Sequence, residues 1–591
     1  MDPVRESSGT DHRGGSWVDS PWLVVAVAVA IAGLTAWRST LGMSFMDDGY
    51  YAAGVIRLAQ GARLFADEMF VQSLGFLAAV PFAKAWTSLF GMTGVVVALR
   101  LFYVAMATVG AAIVYRLLRP SFGRWPSLAG AAAPFIAPPY NLLAVDYNTM
   151  AALGMVLACV LVFAAVRDSR RTYAFAAGAA AAFASASYPP LALVSIALLV
   201  TLHVRTRDRK LVGAMALGAA GVVAVFVAWL LVRTSAEEIG IAFRFVVGTW
   251  TRSSGPQRGT RVALDLAQLG SDLGRSWLVP LWVWFAPAAA ISLWAGSRGV
   301  DASRSGRGRG IALAALPLAL LIPVFANWMS LGHPWSSLET IGGNYLIAFV
   351  LFAALPMFRS LRRAPSDRRD LAMMALPAGL VGFVVVTISS AAGIQLASGI
   401  VGLALLVVAV VVWWGSEIAD ALGPVSGTRA VGALIVALLV LLFGSSFYDG
   451  NPVRFRHTIT ADAFAGVTTS EHNVTQVAAL SSLASRWVRP STTVAVVSMP
   501  GAYLVTGGMP LTNVTWLDTG RLDDFTVAYL DRKGRWPEVV FVPLTRLSRP
   551  ASDIAAAPFL SAVVNRYRLV DQSKTAEVAV FVSDGTAPAK P

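Results

Sequence analysis

The chain has one cysteine in 591 residues, Cys159, so no intramolecular disulfide is available, and its place inside an apolar run speaks against redox chemistry. Charge is scarce too: 14% of residues are charged, against about a quarter in a soluble domain. Lysine is nearly absent. Of 47 basic residues only Lys84, Lys210, Lys533, Lys574 and Lys590 are lysines. No P-loop, Rossmann glycine fingerprint, Cys/His metal spacing or serine nucleophile elbow occurs, which removes the usual signatures of an ATP-driven pump and of a conventional hydrolase.

What the chain has is apolar length. Hydrophobic residues make up 56% of it, and the class that follows is a polytopic α-helical membrane protein. Runs long enough to cross at about 20 residues each start with Pro21 to Trp37. They recur near 93–116, 126–142, 148–166, 172–187, 189–204, 211–232, 276–296, 310–330, 341–358, 371–390, 396–414 and 429–446. That predicts about thirteen transmembrane helices. The net charge of +14 would suit nucleic acid, but most of it sits in short loops, so no nucleic-acid partner is expected. Arg116/Arg119/Arg124, Arg167/Arg170/Arg171, Arg205/Arg207/Arg209/Lys210, Arg298/Arg304/Arg307/Arg309 and Arg359/Arg362/Arg363/Arg368/Arg369 fall in every second connection. The intervening short connections carry no Lys or Arg, the pattern of cytoplasmic retention of basic residues.

Three regions follow: a polar, disordered cytoplasmic tail over 1–19, a transmembrane region over 20–446, and an extracytoplasmic region over 447–591. The loops 38–92 and 233–275 lie outside, which requires Phe70–Phe90 to run along the interface instead of crossing. The last region reads as a small α/β domain. Glu471–Val488 has helical periodicity, and Thr493–Ser498, Val539–Val542, Tyr567–Val570 and Val578–Val582 are β-branched runs of strand length. Arginine in place of lysine, with much Ala, Gly and Val, suits a high-GC bacterial genome and hence the cytoplasmic membrane of a bacterium.

The outer face gathers the polar groups. Asp47 and Asp48 stand just beyond the first apolar run, ahead of a stretch, Tyr51–Phe65, whose periodicity suits a helix lying in the interface. Two adjacent carboxylates cost little at the membrane surface and much inside the hydrocarbon. They suit chemistry on something the membrane presents, and equally a pair stabilising a helix N-terminus. Asp146 opens another outer turn, with N-capping of the next helix as the plain alternative. Glu68, Gln72, Glu237, Glu238, Arg244, His333 and Glu339 complete the set.

Phe45-Met46-Asp47-Asp48-Gly49-Tyr50-Tyr51-Ala52 resembles the Asp-Glu-Gly-x-Tyr-Ala stretch of GT-C glycosyltransferases that use polyprenyl-phosphate sugars. That group includes protein O-mannosyltransferases, the lipid A aminoarabinose transferase and, more distantly, mycobacterial arabinosyltransferases. Its order of elements recurs here, from Ser73-Leu74-Gly75-Phe76 through Leu89-Phe90-Gly91 to Arg100, with Asp146 in place of the second acidic residue and Ser187-Tyr188-Pro189-Pro190 in place of a Thr-Lys-Gly-Pro turn. Asp48 replaces a Glu, and the turn lacks its Lys.

The resemblance implies a GT-C-like fold and an inverting glycosyltransferase. Its donor is a polyprenyl-phosphate-linked sugar, and its acceptor an envelope glycan, lipid or protein on the outer face. Asp47, with Asp48 and Asp146, is the implied catalytic set. Lys84, Arg100 and Arg244 are candidates for the donor phosphate. No cofactor is required, although carboxylates suit a divalent metal, with Asp48, Glu68 and His333 as candidate ligands. Two other readings stay open: a transporter or flippase, and a cell-wall assembly protein.

Overall fold

The computed structural model describes residues 20–136, 142–252, 365–389, 412–422 except 419, 455–517 and 523–584, with a few isolated positions. The helices expected within 276–358 and 429–446, and the residues His333 and Glu339, lie outside the described residues.

Ten helices run in order before that gap. They are α1 (Pro21–Arg38), α2 (Asp47–Ala59), α3 (Val80–Phe90), α4 (Val95–Phe122), α5 (Arg124–Ile136), α6 (Tyr147–Asp168), α7 (Arg171–Ser187), α8 (Ala192–Thr206), α9 (Arg209–Arg233) and α10 (Ala236–Arg252). A 3-10 helix, Val71–Ala79, leads into α3, and α11 (Ser366–Ser389) follows the gap. Among the described residues seven helical stretches are long and apolar enough to cross a membrane. The chain is thus a polytopic helical membrane protein. Small residues set how closely the helices pack. A Cβ on Gly178 would lie 1.8 Å from the Met215 carbonyl oxygen, and one on Gly218 would lie 2.0 Å from that of Phe175. Glycine at both positions lets α7 and α9 touch backbone to backbone, where hydrocarbon around them supplies no hydrophobic drive.

One of the seven stretches, Ser73–Phe90, tests the expected path of the chain. At the end of α1 the Gly42 amide donates to Thr468 O at 2.8 Å, and at the start of α4 the amides of Gly94 and Val96 donate to Asp462 O and Ala463 O, each at 3.1 Å. Residues 42 and 94 therefore meet the same short ribbon, whose strands β1 (His457–Thr458) and β2 (Thr468–Thr469) pair antiparallel. A chain that leaves and returns at one end of the bundle has not crossed between. Part of Ser73–Phe90 is packed against the bundle, with Phe76, Ala79 and Ala83 fully buried, while Leu89 and Phe90 at its end are exposed.

Beyond the ribbon lie α12 (Glu471–Trp487) and a five-stranded sheet of β3 (Thr493–Val496), β4 (Met509–Pro510), β5 (Val539–Pro543), β6 (Tyr567–Ser573) and β7 (Val578–Ser583). The order is β4-β3-β5-β7-β6. β3 pairs parallel with β4 and β5, and β7 pairs antiparallel with β5 and β6. Every residue of β3 and β5 is buried, as strands covered on both faces must be. The two-residue alternation splits them. Val494, Val496, Val539, Phe541, Val578 and Val580 join the core that runs on into the helix bundle. Ala495, Val497, Val540, Val542 and Phe581 face a second core with Phe559, Val563, Met69 and Phe245. Helix α10 thus packs its apolar side on the sheet region, with the Phe245 ring 5.6 Å from Phe70 and 5.3 Å from Phe525.

Candidate active site

The motif helix α2 is not an interfacial helix. Every residue from Asp48 to Leu58 is buried. It is roofed by Pro500-Gly501: the Gly501 amide donates to Phe45 O at 2.7 Å, and a Cβ on Gly49 would come within 2.5 Å of Gly501 Cα. That approach explains Gly49 in the motif and Gly501 in the sheet region, since any side chain at either position would push the two backbones apart. The interfacial reading failed because periodicity shows an apolar face without showing what covers the polar one.

Burial sorts the two motif aspartates. Asp48 is 1% exposed, and Arg100 of α4 holds it with Nε to Oδ1 at 3.2 Å and Nη2 to Oδ2. The same guanidinium donates to Ser39 O and Gly42 O, both at 2.8 Å. Arg100 therefore clips the α1–α2 turn to α4. As a phosphate ligand it is corrected: the group is buried and its donors are engaged. Asp48 is likewise corrected from catalytic or metal-binding carboxylate to structural ion-pair partner. Asp47, its neighbour on α2, is half-buried beside the exposed Met46, and its charge acts on Asp146, Tyr50 and Tyr51.

Glu68 goes the way of Asp48. It is fully buried, accepts from the Thr515 amide at 2.7 Å and hydroxyl at 2.6 Å, and pairs with Arg57 of α2 at 3.3 Å. Arg57 reaches on to Asp67 O at 2.8 Å and to Thr512 O. Arg57 thereby fastens the motif helix to the sheet region. Burial pushes the Glu68 carboxyl up, against the pull of Arg57 and Thr515. A metal held by Asp48 and Glu68 does not fit, because each carboxylate already faces a guanidinium. Among the described residues no group of three or more Asp, Glu, His or Cys is placed to hold a metal ion.

Asp146 is the N-cap of α6. Its Oδ1 accepts from the amides of Asn148 and Thr149, and its own amide donates to Thr149 Oγ1 at 3.2 Å, completing a capping box. The cap is half the account. Asp146 Oδ2 is buried with no hydrogen-bond partner among the described residues, an arrangement a structural cap does not need. Three rings run beside it: Tyr51 meets Tyr147 at 6.0 Å, and Tyr147 stacks on Tyr188 at 5.9 Å. Tyr188 belongs to the Pro189-Pro190 turn and shares a hydrogen bond of 2.9 Å with Ser389.

Burial, with Asp47 adding to it, pushes the Asp146 carboxyl up to about 7. An unfolded Asp titrates near 3.9. Between about pH 4 and 7 the folded chain thus holds a proton that the unfolded chain has released, and stability falls as pH rises through that window. Asp146→Asn keeps a capping acceptor and removes the titration. The variant's melting temperature in detergent should vary less over this window than the parent's. Equal slopes for the two proteins would count against a protonated Asp146.

Of the three cations considered for phosphate, Lys84 on α3 and Arg244 on α10 remain. Both are exposed, and among the described residues neither has an ion pair. The side chain of Gln72 is outside the described residues, and Glu238 pairs with Arg63 at 2.9 Å.

The fold and these groups define a polytopic membrane protein with an acidic, aromatic-walled site at one end of its helix bundle. Residues 78–232, from the 3-10 helix through α9, match the dolichyl-phosphate-mannose-protein mannosyltransferase family. That match covers less than half of the chain and begins after Asp47-Asp48-Gly49; over its own stretch it agrees with the resemblance to GT-C glycosyltransferases. No curated protein sequence matches it. Among solved structures, the chain is similar to apo ArnT from Cupriavidus metallidurans, at 16% identity over 95% of this chain and 97% of that one, with a TM-score of 0.45. The oligosaccharyltransferase AglB from Archaeoglobus fulgidus, in complex with an inhibitory peptide and a dolichol-phosphate, is similar at 12% identity over 96% and 75%, with a TM-score of 0.46. The arabinosyltransferase EmbB from Mycobacterium smegmatis is similar at 18% identity over 71% and 41%, with a TM-score of 0.33.

Proposed function

We propose that the chain transfers a sugar from a polyprenyl-phosphate donor to a hydroxyl of an envelope glycan, lipid or protein, on the outer face of a bacterial cytoplasmic membrane. The observation that carries this reading is the division of labour in the motif. Asp48 is paired with Arg100 inside the protein, while Asp47 beside it is half-buried and its charge acts on Asp146. A polyprenyl-phosphate sugar already carries its leaving group, so the protein has to bind the donor and remove a proton from the acceptor. The Asp47 carboxylate takes that proton as general base. The acceptor oxygen forms a bond to the anomeric carbon as the bond from that carbon to the phosphate oxygen breaks. Polyprenyl phosphate departs with the electron pair, and the single displacement inverts the anomeric centre.

Lys84 and Arg244 supply the positive charge for the phosphate. Two cations on separate helices that approach the same end of the bundle suit a lipid headgroup entering from the side. Of the Tyr51–Tyr147–Tyr188 row only Tyr147 is half-buried, and it is the ring within reach of a sugar. The arginine alternation supports an N-terminus in the cytoplasm and the sheet region outside it.

The test is release of polyprenyl phosphate. Purified protein in bilayers should release it from a pentosyl or hexosyl polyprenyl phosphate when an envelope extract supplies acceptors. Folded protein that releases none from a panel of such donors would overturn the reading.

A further inference from the structure

At the other end of the bundle the helices form a second, unassigned feature. Helix α4 has 28 residues and so spans about 42 Å, which carries its last turns far from the motif. There the C-terminal turns of α4, the end of α6 and the first turn of α7 line an open cleft of about 530 Å³, with Arg116, Leu117, Pro120, Arg167, Asp168, Arg170 and Tyr173 along it. That is within the range of small-ligand sites, about 300–1,000 Å³.

The charges in it are unbalanced. Arg167 is neutralised by Asp168, with Nε to Oδ1 at 2.7 Å and Nη2 to Oδ2 at 2.8 Å, and its Nη1 donates to Leu117 O at 2.7 Å. Asp367 at the start of α11 also acts on Arg167 from across the bundle. Arg116 has no carboxylate partner among the described residues, and Arg170 acts only at a distance on the Asp168 that Arg167 already holds. Arg116 and Arg170 are exposed, and Arg170 lies over the Tyr173 ring, 6.0 Å from its centroid. The first turn of α7 carries no acidic residue. Retaining arginines on one side of a membrane needs only that they be there; it does not need them to converge on one cleft beside the buried Leu117.

We infer that this cleft binds the phosphate headgroup of an anionic membrane phospholipid. Arg116 and Arg170 bind the phosphate as charge-assisted donors. Arg167, locked by Asp168 and Leu117 O, fixes the wall between them, and the acyl chains run along the exposed apolar surface of the spanning helices. Basic pockets between membrane helices at one membrane face are the usual form of such sites. The inference requires that α4, α6 and α7 cross the membrane, and it stands whether or not the glycosyltransferase reading of the opposite end holds.

The experiment measures the melting temperature of the full-length protein in detergent against added phosphatidylglycerol, phosphatidylcholine or inorganic phosphate. Phosphatidylglycerol should raise it saturably and phosphatidylcholine should not. Arg116→Gln and Arg170→Gln should each raise the half-saturating phosphatidylglycerol about five-fold, or ~1 kcal/mol per arginine, and together about 25-fold. Arg119→Gln, an equal charge change on α4 outside the cleft lining, should leave it unmoved. An unchanged midpoint in the double variant, or equal shifts with phosphatidylcholine, would overturn the site. Inorganic phosphate matching the lipid at the same concentration would make it a free-anion site and overturn the lipid assignment. If the double variant does not fold, the parent decides: a photoreactive phosphatidylglycerol should label peptides containing 116–120 and 167–173, and labelling confined to other regions would overturn the inference.

Discussion

Asp47→Asn is expected to lower sugar transfer by about 10²–10⁴-fold, the usual cost of losing a general base, at unchanged abundance in the membrane. Asn preserves size and hydrogen bonding. Asp47 sits in the first turn of α2, where a lost negative charge costs about 0.3–1 kcal/mol against the helix dipole, too little to unfold the chain. Asp48 cannot replace it, because Arg100 pins that carboxylate inside the protein. Asp146→Asn should fall between Asp47→Asn and the parent, since the cap survives and only the partnerless oxygen changes. Lys574→Ala, exposed in the sheet region, should transfer at the parental rate. The measurement is donor cleavage at matched protein, alongside the envelope glycan of a deletion strain carrying each variant. Full restoration by Asp47→Asn would remove the motif from the chemistry and bring the transporter reading forward.

The second large effect is on folding. Asp48→Ala leaves the Arg100 guanidinium buried without its counter-charge, and breaking a buried pair from one side costs about 3–5 kcal/mol. The donors to Ser39 O and Gly42 O remain, so the residual structure is the α1–α2 turn tied to a charge it no longer neutralises. Abundance and melting temperature should fall together, and activity per folded molecule should fall less than in Asp47→Asn. Replacing both partners, Asp48→Leu with Arg100→Leu, should recover part of the loss, because apolar side chains bring no charge to desolvate. A melting temperature for Asp48→Ala equal to the parent's would show that the pair contributes nothing. The two aspartates are adjacent, and their variants should fail for different reasons. Comparing activity per folded molecule separates them.

How much of this could be read beforehand differs from residue to residue. The spanning segments were legible because a membrane imposes one demand, about 20 consecutive apolar residues; α6 and α9 match the expected runs closely at both ends, and α4 at its start but not at its end, which runs on to Phe122. The strands of the sheet were legible because β3 and β5 are covered on both faces and read as unbroken β-branched runs. β4 was missed: two residues, Met509 and Pro510, carry no pattern. The Asp47-Asp48-Gly49 motif was legible as a motif. Its internal assignment was not, since adjacent carboxylates look alike until one of them is seen to meet Arg100, 52 positions along the chain.

By itself the sequence determined the class and the motif, both of which rest on local composition and on a periodic demand made by the solvent. Tertiary structure alone decided which charges are spent. Arg100 was lost as a phosphate ligand, Glu68 became a buried partner of Arg57, and α2 left the interface for a place beneath Gly501. The physical reason is common to all three. A charge in water and a charge in a low-dielectric interior are the same letter, and only the partner brought to it from elsewhere in the chain determines which one it is.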